Sequence, residues 1–397
     1  MTSTVASDSD RIHEGNGKMR RLLGRLSQRI WGHVMAVKTS ARGRWLSVPL
    51  QMLRIAACRL FYRLGSRLYC LYRLDRKPVR TWRTYIADVK AQQRSINPGR
   101  LLVDDKIAFH RECLKHGLRT VAILGLFAGK STPGSDDDPP LIRDPAHLQR
   151  LLEANPDGLF VKPRDGSYGE RAFAILPHSG NWRFPGGIGT AHDAFEYCVS
   201  CAKAARAYSW IEGDHTLLVQ PRLITCDALR RVMAPDAFAT IRAVTYMHDQ
   251  RPTLMAALLK IVVEGNVTDN FDGGASGNLA APLDPLTGTL TAVRGSRSRT
   301  FPVIFDSETH PTTGIRLVGV QVPRWSDVLS LVLRAQACFA GGFRTIGWDV
   351  GLTQEGPLLV EGNAQYGFES LQVAFDRGFA PDFERVMLAS QANSLRS

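Results

Sequence analysis

The segment after residue 158 carries residue types suited to phosphate binding. An apolar run ends at Lys162, the glycine-rich turn Gly166–Gly169 follows, and a second apolar run returns. Glycine lets backbone N–H groups approach phosphate oxygens closely, and a lysine at a strand end can meet a phosphate as a point charge. The segment lacks the GK[ST] ending of a P-loop, and no helix opens behind it as in a dinucleotide fingerprint. From these residues alone, a phosphate loop and an ordinary hairpin with a glycine turn both stay open.

A second segment, residues 346–363, carries residue types suited to a metal ion. Asp349 lies on one apolar run, and Glu361 and Asn363 lie on the next, after a short turn. Glu361 and Asn363 are two positions apart, so both side chains leave the same face of a strand. Carboxylate and amide oxygens suit a hard ion such as Mg²⁺. The alternative is a pair of surface acids, but carboxylates buried between strand residues are costly without a partner, which favours the metal.

These residues must be positioned by a mixture of strands and helices. Periodicity predicts strands at 121–126, 159–161, 172–176, 217–219, 239–246, 254–263 and 358–360. It predicts helices at 105–117, 191–207 and 324–340. Elements in this order predict the α+β class, with antiparallel hairpins forming the layers.

Composition and charge exclude several classes of protein. The chain has 397 residues, of which 44% are hydrophobic and 22% charged, and these values exclude a disordered chain, a collagen and an integral membrane bundle. The formal net charge is +13, but residues 1–100 hold 21 Lys and Arg against 5 Asp and Glu, and the remainder holds 29 against 32. A nearly neutral body argues against nucleic acid as a partner. Seven scattered cysteines and an N-terminus without signal-peptide order predict a cytoplasmic protein.

Three regions are predicted along the chain. Residues 1–18 are small and polar and are expected to form a disordered tail. Residues 19–99 are expected to form a basic, mainly helical region. Residues 100–390 carry the strand and helix patterns and both candidate segments, and are expected to form the main domain.

The basic region contains a pattern typical of an amphipathic helix. Apolar residues recur at intervals of three and four. They are Leu53, Ala56, Ala57, Leu60, Leu64, Leu68 and Leu71. Arg59, Arg63 and Arg67 fall on the opposite side of a helix with this period. We expect the helix to pack on the body of the protein with its arginines in solvent; peripheral contact of residues 45–75 with an anionic membrane is the alternative.

Six short segments occur together in one order. They are DK at 105–106, VKP…DGSYGE at 161–170, VQPRLI at 219–224, IRAVTY at 241–246, DNFDGGASGN…PLDPLTG at 269–288 and GWDV…GPLLVEGN at 347–363. In this combination the chain resembles, over residues 100–375, the ATP-grasp superfamily of carboxylate–amine ligases, and within it the sugar-transfer-associated ATP-grasp family. The resemblance implies an ATP-grasp fold in which two α+β subdomains grip ATP, preceded by the basic helical region.

The resemblance also implies which residues bind ATP. They are Lys106, Lys162, Gly166, Ser167, Tyr168, Gly169, Gln220, Pro221, Arg222, Leu223 and Asp227. Lys106 and Lys162 would contact phosphates, and the glycine-rich turn would cover the β- and γ-phosphates. The backbone of residues 220–223 would bind the adenine edge, and Asp227 would bind the ribose hydroxyls.

The implied catalytic and metal residues lie further along the chain. Arg242 and Lys260 would be catalytic residues that direct positive charge at the transferred phosphoryl group. Asp349, Glu361 and Asn363 would hold one or two Mg²⁺ ions.

The activity implied by the resemblance is ATP-dependent, ADP-forming amide synthesis from a small carboxylate and an amine through an acyl phosphate, in sugar-conjugate or surface-polysaccharide biosynthesis. A phosphotransferase without an amine step and a non-catalytic membrane-associated scaffold are the alternatives. A cytoplasmic protein, or one peripheral at the inner face of the membrane, is expected. The chain departs from the family pattern in two places. At the hinge, Gln220 replaces the commoner Glu, and Pro221 removes a backbone hydrogen-bond donor. The basic region replaces the usual small α/β domain.

Overall fold

The computed structural model describes residues 34, 37–38, 47–77, 86–127, 139–165, 171–204, 216–234, 236–263, 269, 271, 276–296 and 304–394. The predicted tail at 1–18 and the turn Gly166–Gly169 lie outside the described residues. The described residues form two antiparallel sheets with helices packed on them. The predicted α+β class is therefore confirmed.

The first sheet lies in the N-terminal half of the main domain. Its strands are β1 (Gly125–Phe127), β2 (Leu159–Pro163), β3 (Phe173–His178), β4 (Asn181–Phe184), β5 (Gly187–Gly189) and β6 (Leu217–Pro221). They lie in the order β1-β6-β2-β3-β4-β5. β2 is therefore central, between β6 and β3, and Lys162 lies on this central strand opposite Leu218 of β6.

The second sheet carries the other candidate residues. Its strands are β7 (Thr240–His248), β8 (Arg251–Ile261), β9 (Leu279–Pro282), β10 (Arg294–Ser296), β11 (Ile304–Asp306), β12 (Thr345–Thr353) and β13 (Gly356–Asn363). They lie in the order β11-β10-β9-β8-β7-β12-β13. The long hairpins β7–β8 and β12–β13 are neighbours, because β12 pairs with β7.

Helices cover both sheets. They are α1 (Val48–Tyr62), α2 (Ser66–Leu71), α3 (Ile86–Ile96), α4 (Leu101–Asp104), α5 (Lys106–Lys115), α6 (Pro145–Ala154), α7 (Ala191–Ala204), α8 (Asp227–Arg230), α9 (Trp325–Cys338), α10 (Glu369–Phe375) and α11 (Ala380–Ser394). Among the described residues, no helix has both the length and the apolar character needed to cross a membrane.

The second sheet has two different faces, because side chains alternate along each strand. One face is apolar and packs on α9 in the largest core. On the other face, Val244 and Leu258 belong to a second core, which also contains residues of the N-terminal helices. Two positions away on the same strands and the same face lie Arg242 and Lys260. One face of this sheet therefore carries an apolar half and a charged half.

The N-terminal region is joined to this sheet through α3. The buried amide of Asn97 donates to the carbonyl oxygens of Thr345 and Ala364, both at 2.9 Å. Its oxygen accepts from the backbone N–H groups of Arg344 and Thr345 at 2.9 and 3.3 Å. One side chain thus satisfies four backbone groups beside β12. Asn97, which lies before the boundary predicted at residue 100, therefore contacts the second sheet directly.

The prediction of one amphipathic helix with its arginines on one face is wrong. α1 ends at Tyr62; the next residue, Arg63, has a left-handed φ of 53°, and α2 begins after Gly65. Arg59 and Arg67 consequently lie on different helices. Arg67 is not simply solvated, since its guanidinium pairs with Glu369 at 2.9 Å.

The predicted orientation of α1 is also wrong. Leu53 and Leu60, which were expected to face the body, are 69% and 75% exposed. The buried side of α1 instead carries Gln51, Ile55 and Cys58. Hydrophobic periodicity predicts that a helix has an apolar side. α1 has two apolar sides, and the one that contains Ile55 is buried in the second core.

Candidate active site

The candidate metal residues lie on adjacent strands of one hairpin. Asp349 of β12 is directly opposite Glu361 of β13, and Asn363 follows two positions later on the same face. Alternate positions of β12, such as Trp348 and Val350, point into the largest core. The alternation of apolar and polar residues therefore places all three candidate ligands on the charged half of the sheet, as predicted from their spacing.

Asp349 is held by two cations from the neighbouring hairpin. Arg242 donates to both carboxylate oxygens, from Nε at 2.7 Å and from Nη2 at 2.9 Å, and Lys260 Nζ lies 3.1 Å from Oδ1. Burial opposes ionisation of this carboxyl, but Arg242 and Lys260 outweigh it and hold the pKa of Asp349 well below its usual range. The structure thus brings the predicted catalytic pair into direct contact with a predicted metal ligand.

Glu361 has the opposite electrostatic environment. Burial, and then the charge of Asp349 beside it, raise the pKa of Glu361 above its ordinary value, although Lys106 and Lys162 act against the rise. Asn363 Nδ2 lies 3.4 Å from Glu361 Oε1 and also donates to the carbonyl of Gly347 at 3.2 Å. The hairpin therefore places two carboxylates side by side, of which Asp349 is held ionised by cations while burial disfavours the ionised form of Glu361.

This donor set fits Mg²⁺. Two carboxylates and an amide oxygen are hard ligands, and Mg²⁺ takes its remaining ligands from water and phosphate. Among the described residues, no group of three or more His, Cys, Asp and Glu side chains forms a metal cluster. A divalent cation would also compensate the charge that raises the pKa of Glu361.

Two lysines approach the hairpin from the other side of the site. Lys162 comes from β2, and Lys106 comes from the first turn of α5. The backbone N–H of Lys106 donates to the carbonyl of Arg164 at 3.1 Å. Burial lowers the pKa of Lys162 to about 8, because desolvation outweighs the attraction of Glu361 and Asp349. Burial also lowers the pKa of Lys106. Desolvation therefore disfavours the charged form of both ammonium groups, and the phosphates of a nucleotide would favour it.

A pair that sequence reasoning missed fixes Lys106 in position. Asp105 caps α5 by accepting from the N–H groups of Ile107 and Ala108 at 2.9 and 3.4 Å. The same carboxylate accepts two bonds from Arg164, at 2.8 and 2.5 Å. The end of β2 is therefore clamped to the start of α5, and Lys106 follows the clamp directly. The DK pair was visible in the sequence, but its partner lies 59 positions away.

Asp269 is a second missed residue. Its carboxylate lies 3.1 Å from Lys260 Nζ and accepts from the hydroxyl of Thr240. Lys260 thus bridges two carboxylates, Asp349 and Asp269. The sequence places Asp269 in a polar, glycine-rich stretch, and nothing in that stretch marks its position in space.

The predicted adenine hinge leads out of β6. Gln220 is buried and lies opposite Phe160 of β2, and Pro221 ends the strand. The N–H of Arg222 donates to the carbonyl of Gly158 at 3.0 Å, and its guanidinium pairs with Asp236 at 3.1 Å. The N–H of residue 222 is therefore already bonded within the protein.

Asp227, predicted for the ribose, has contacts of its own. It begins α8, with its carboxylate 3.1 Å from Arg230 and 3.4 Å from Gln354 of the β12–β13 turn. Its side chain is largely exposed. The described contacts do not join it to Lys162 or Glu361, so its role stays a prediction. The turn Gly166–Gly169 lies outside the described residues.

Comparisons with known proteins agree with this architecture. A family model described as sugar-transfer-associated ATP-grasp matches residues 90–387, about three quarters of the chain. None of the curated proteins matches the sequence.

Solved structures that match part of the chain include three enzymes. L-amino acid ligase from Bacillus licheniformis has 9% identity and a TM-score of 0.35, over 69% of this chain and 43% of that one. D-alanyl-alanine synthetase A from Vibrio cholerae has 11% identity and a TM-score of 0.40, over 73% and 65%. Biotin carboxylase from Campylobacter jejuni has 8% identity and a TM-score of 0.41, over 73% and 46%. The chain matches less than two thirds of the length of each.

Proposed function

The chain belongs to the sugar-transfer-associated ATP-grasp family, and from that premise we propose that it is an ATP-dependent carboxylate–amine ligase that forms ADP. One observation carries the proposal: cations from both sheets converge on one carboxylate pair. Lys162 comes from the first sheet, Arg242 and Lys260 come from the second, and all are directed at Asp349 or Glu361. Such a centre suits a triphosphate with its metal better than it suits a neutral ligand.

The proposed reaction has two steps. A carboxylate oxygen of the acid substrate attacks the γ-phosphorus of ATP, the bond to the β-phosphate oxygen breaks, and ADP and an acyl phosphate form. The amine then attacks the carbonyl carbon, phosphate leaves, and the amine proton passes to solvent. Arg242 and Lys260 compensate the charge that spreads over the transferred phosphoryl group. Because activation resides in the phosphoryl group, the chain need not supply a nucleophile.

We propose that Asp349, Glu361 and Asn363 hold one or two Mg²⁺ ions. When bound, Mg²⁺ would supply positive charge to the phosphate oxygens. Arg242 and Lys260 now bond to Asp349. A phosphate oxygen that reaches them competes with that carboxylate, so these two cations exchange one anionic partner for another.

The remaining ATP contacts belong to the same proposal. Lys106 and Lys162 would bind phosphate, with the turn Gly166–Gly169 above it. The adenine edge would lie along the chain at 220–223, through groups other than the N–H of Arg222, and Asp227 would reach the ribose. The substrates would be a small carboxylate and an amine from sugar-conjugate or surface-polysaccharide synthesis.

The test is ADP release on a panel of candidate acid and amine pairs. Glu361→Gln removes one charge without changing the size of the side chain, and Glu355→Gln is its matched control, because Glu355 lies in the exposed turn of the same hairpin. We expect Glu361→Gln to abolish pair-dependent ADP release and Glu355→Gln to leave it unchanged. Equal activity of the two variants would contradict the proposed site. ADP together with a phosphorylated acceptor and no amide would identify a phosphotransferase instead.

A further inference from the structure

α1 presents an apolar face to solvent. We call it the outer face of α1; its residues are Leu50, Leu53, Leu60 and Phe61. Leu53, Leu60 and Phe61 are 69%, 75% and 74% exposed, and Leu50 is also exposed. At about 100° per residue, the four side chains fall within an arc of about 100°, and the buried side of α1 is centred about 140° away. The outer face is therefore continuous and points away from the core that holds the helix.

Exposed apolar side chains elsewhere in the described residues are scattered. Examples are Leu114, Ile188, Leu286 and Leu388, each on a different element or turn. Single exposed leucines are normal at a protein surface, whereas a contiguous group indicates an interaction site. The outer face of α1 is such a group, so it requires an occupant.

Charge identifies the class of occupant. From residue 15 to residue 74 the chain contains 13 Lys and Arg and no Asp or Glu. Arg59 on α1 and Arg63 at its end are exposed, and at about 100° per residue they lie on one flank of the helix, between the outer face and the buried side. The preceding segment of this chain is itself basic, so it cannot neutralise these arginines. An anionic surface can, and an apolar face with arginines along one flank is compatible with a helix that lies in a lipid interface.

We propose that the outer face of α1 docks on an anionic lipid membrane, with Leu53, Leu60 and Phe61 inserted among the acyl chains and Arg59 and Arg63 at the headgroups. This geometry reverses the one expected from the sequence, in which the leucines faced the body of the protein. It does not depend on the identity of the reaction. The buried side of α1 packs in the second core, so docking can proceed without unfolding the helix.

The experiment uses the full chain and two kinds of vesicle, phosphatidylcholine alone and phosphatidylcholine with about one third phosphatidylglycerol. We expect binding to the anionic vesicles that is stronger at low ionic strength. Leu53→Gln/Leu60→Gln/Phe61→Gln should weaken it about tenfold or more, because the inserted apolar area is lost. Arg59→Gln/Arg63→Gln should remove most of the preference for anionic vesicles.

The matched control replaces three exposed apolar residues elsewhere, Ile188→Gln/Leu286→Gln/Leu388→Gln, and should bind like the wild type. The proposal would be overturned if the wild type bound neither kind of vesicle. It would also be overturned if this control weakened vesicle binding as much as the triple variant of α1 does. Two further readouts identify other occupants. If the triple variant of α1 converts a dimer into a monomer, a second copy covers the face. If it lowers Tm as strongly as Ile55→Gln does, another part of this chain covers it, and both results reject the membrane.

Discussion

The energetic cost of burying Lys162, which we propose binds phosphate, can be measured. Its pKa falls from an ordinary value of 10.5 to about 8, and each factor of ten in proton affinity is worth about 1.4 kcal/mol. The buried ammonium therefore costs the nucleotide-free protein about 3 kcal/mol at pH 7. Lys162→Met keeps the shape of the chain and removes the charge. We expect the variant to be more stable than the wild type by up to that amount and to lose its stabilisation by MgATP.

The sign of the pH dependence follows from the lowered pKa. Below pH 8 the lysine is protonated in both the folded and the unfolded protein, so the full cost is present. As the pH rises from about 8 to 10.5, the folded protein loses its proton first and the cost disappears. The advantage of Lys162→Met over the wild type should therefore vanish across this window.

Chemical denaturation at pH 7 and near pH 10, with and without MgATP, measures both effects. Lys115→Met is the control, because Lys115 is exposed on α5, and it should change neither stability nor the response to MgATP. A Lys162→Met variant that is destabilised equally at both pH values would refute the argument from desolvation. Retention of the full stabilisation by MgATP would refute the role of Lys162 in binding phosphate.

Further predictions concern the metal set and two structural clamps. Glu361→Ala should abolish Mg²⁺-dependent ADP release with the fold intact, and Asn363→Ala should reduce it less because an amide oxygen is neutral; wild-type rates at saturating Mg²⁺ would reject the metal role. Asp105→Asn should lower the free energy of unfolding by about 1–3 kcal/mol. Burial opposes the charge of Asp105, but Arg164 holds the pKa of this carboxyl below 3.8. The loss of unfolding free energy in the variant should therefore disappear in acid, as the wild-type carboxyl protonates. A loss that is constant with pH would contradict this explanation. Asn97→Ala should cost about 2–5 kcal/mol in thermal or urea denaturation, because four backbone groups lose their partner; an unchanged midpoint would show that water replaces the amide.

The placement of the three candidate metal ligands could be predicted because it depends on local rules. Alternation along a strand places Glu361 and Asn363 on one face, and a short turn fixes which residue of β12 lies opposite Glu361. The predicted strand at 121–126 was mostly wrong, since only its last two residues belong to β1. The short strands β4, β5, β9, β10 and β11 were not predicted, because three or four residues do not establish a period.

Contacts between distant segments could not be predicted. Arg164 is 59 positions from Asp105, and no pattern in the sequence indicates that Asp269 pairs with Lys260. The orientation of α1 had a different cause. Both of its sides are apolar, and the choice between them depends on the surface against which Ile55 packs, which is not encoded within the helix.

The pairs around Asp349 have a consequence for turnover. Arg242 and Lys260 each already pair with a carboxylate in the nucleotide-free protein. In the proposed reaction, phosphate would have to displace a carboxylate that is already bound, so the free energy of its binding would be a difference between two similar attractions. When the product phosphate leaves, the same carboxylate would take its place. This exchange would limit the affinity for the product as well as for the substrate, and it would favour product release.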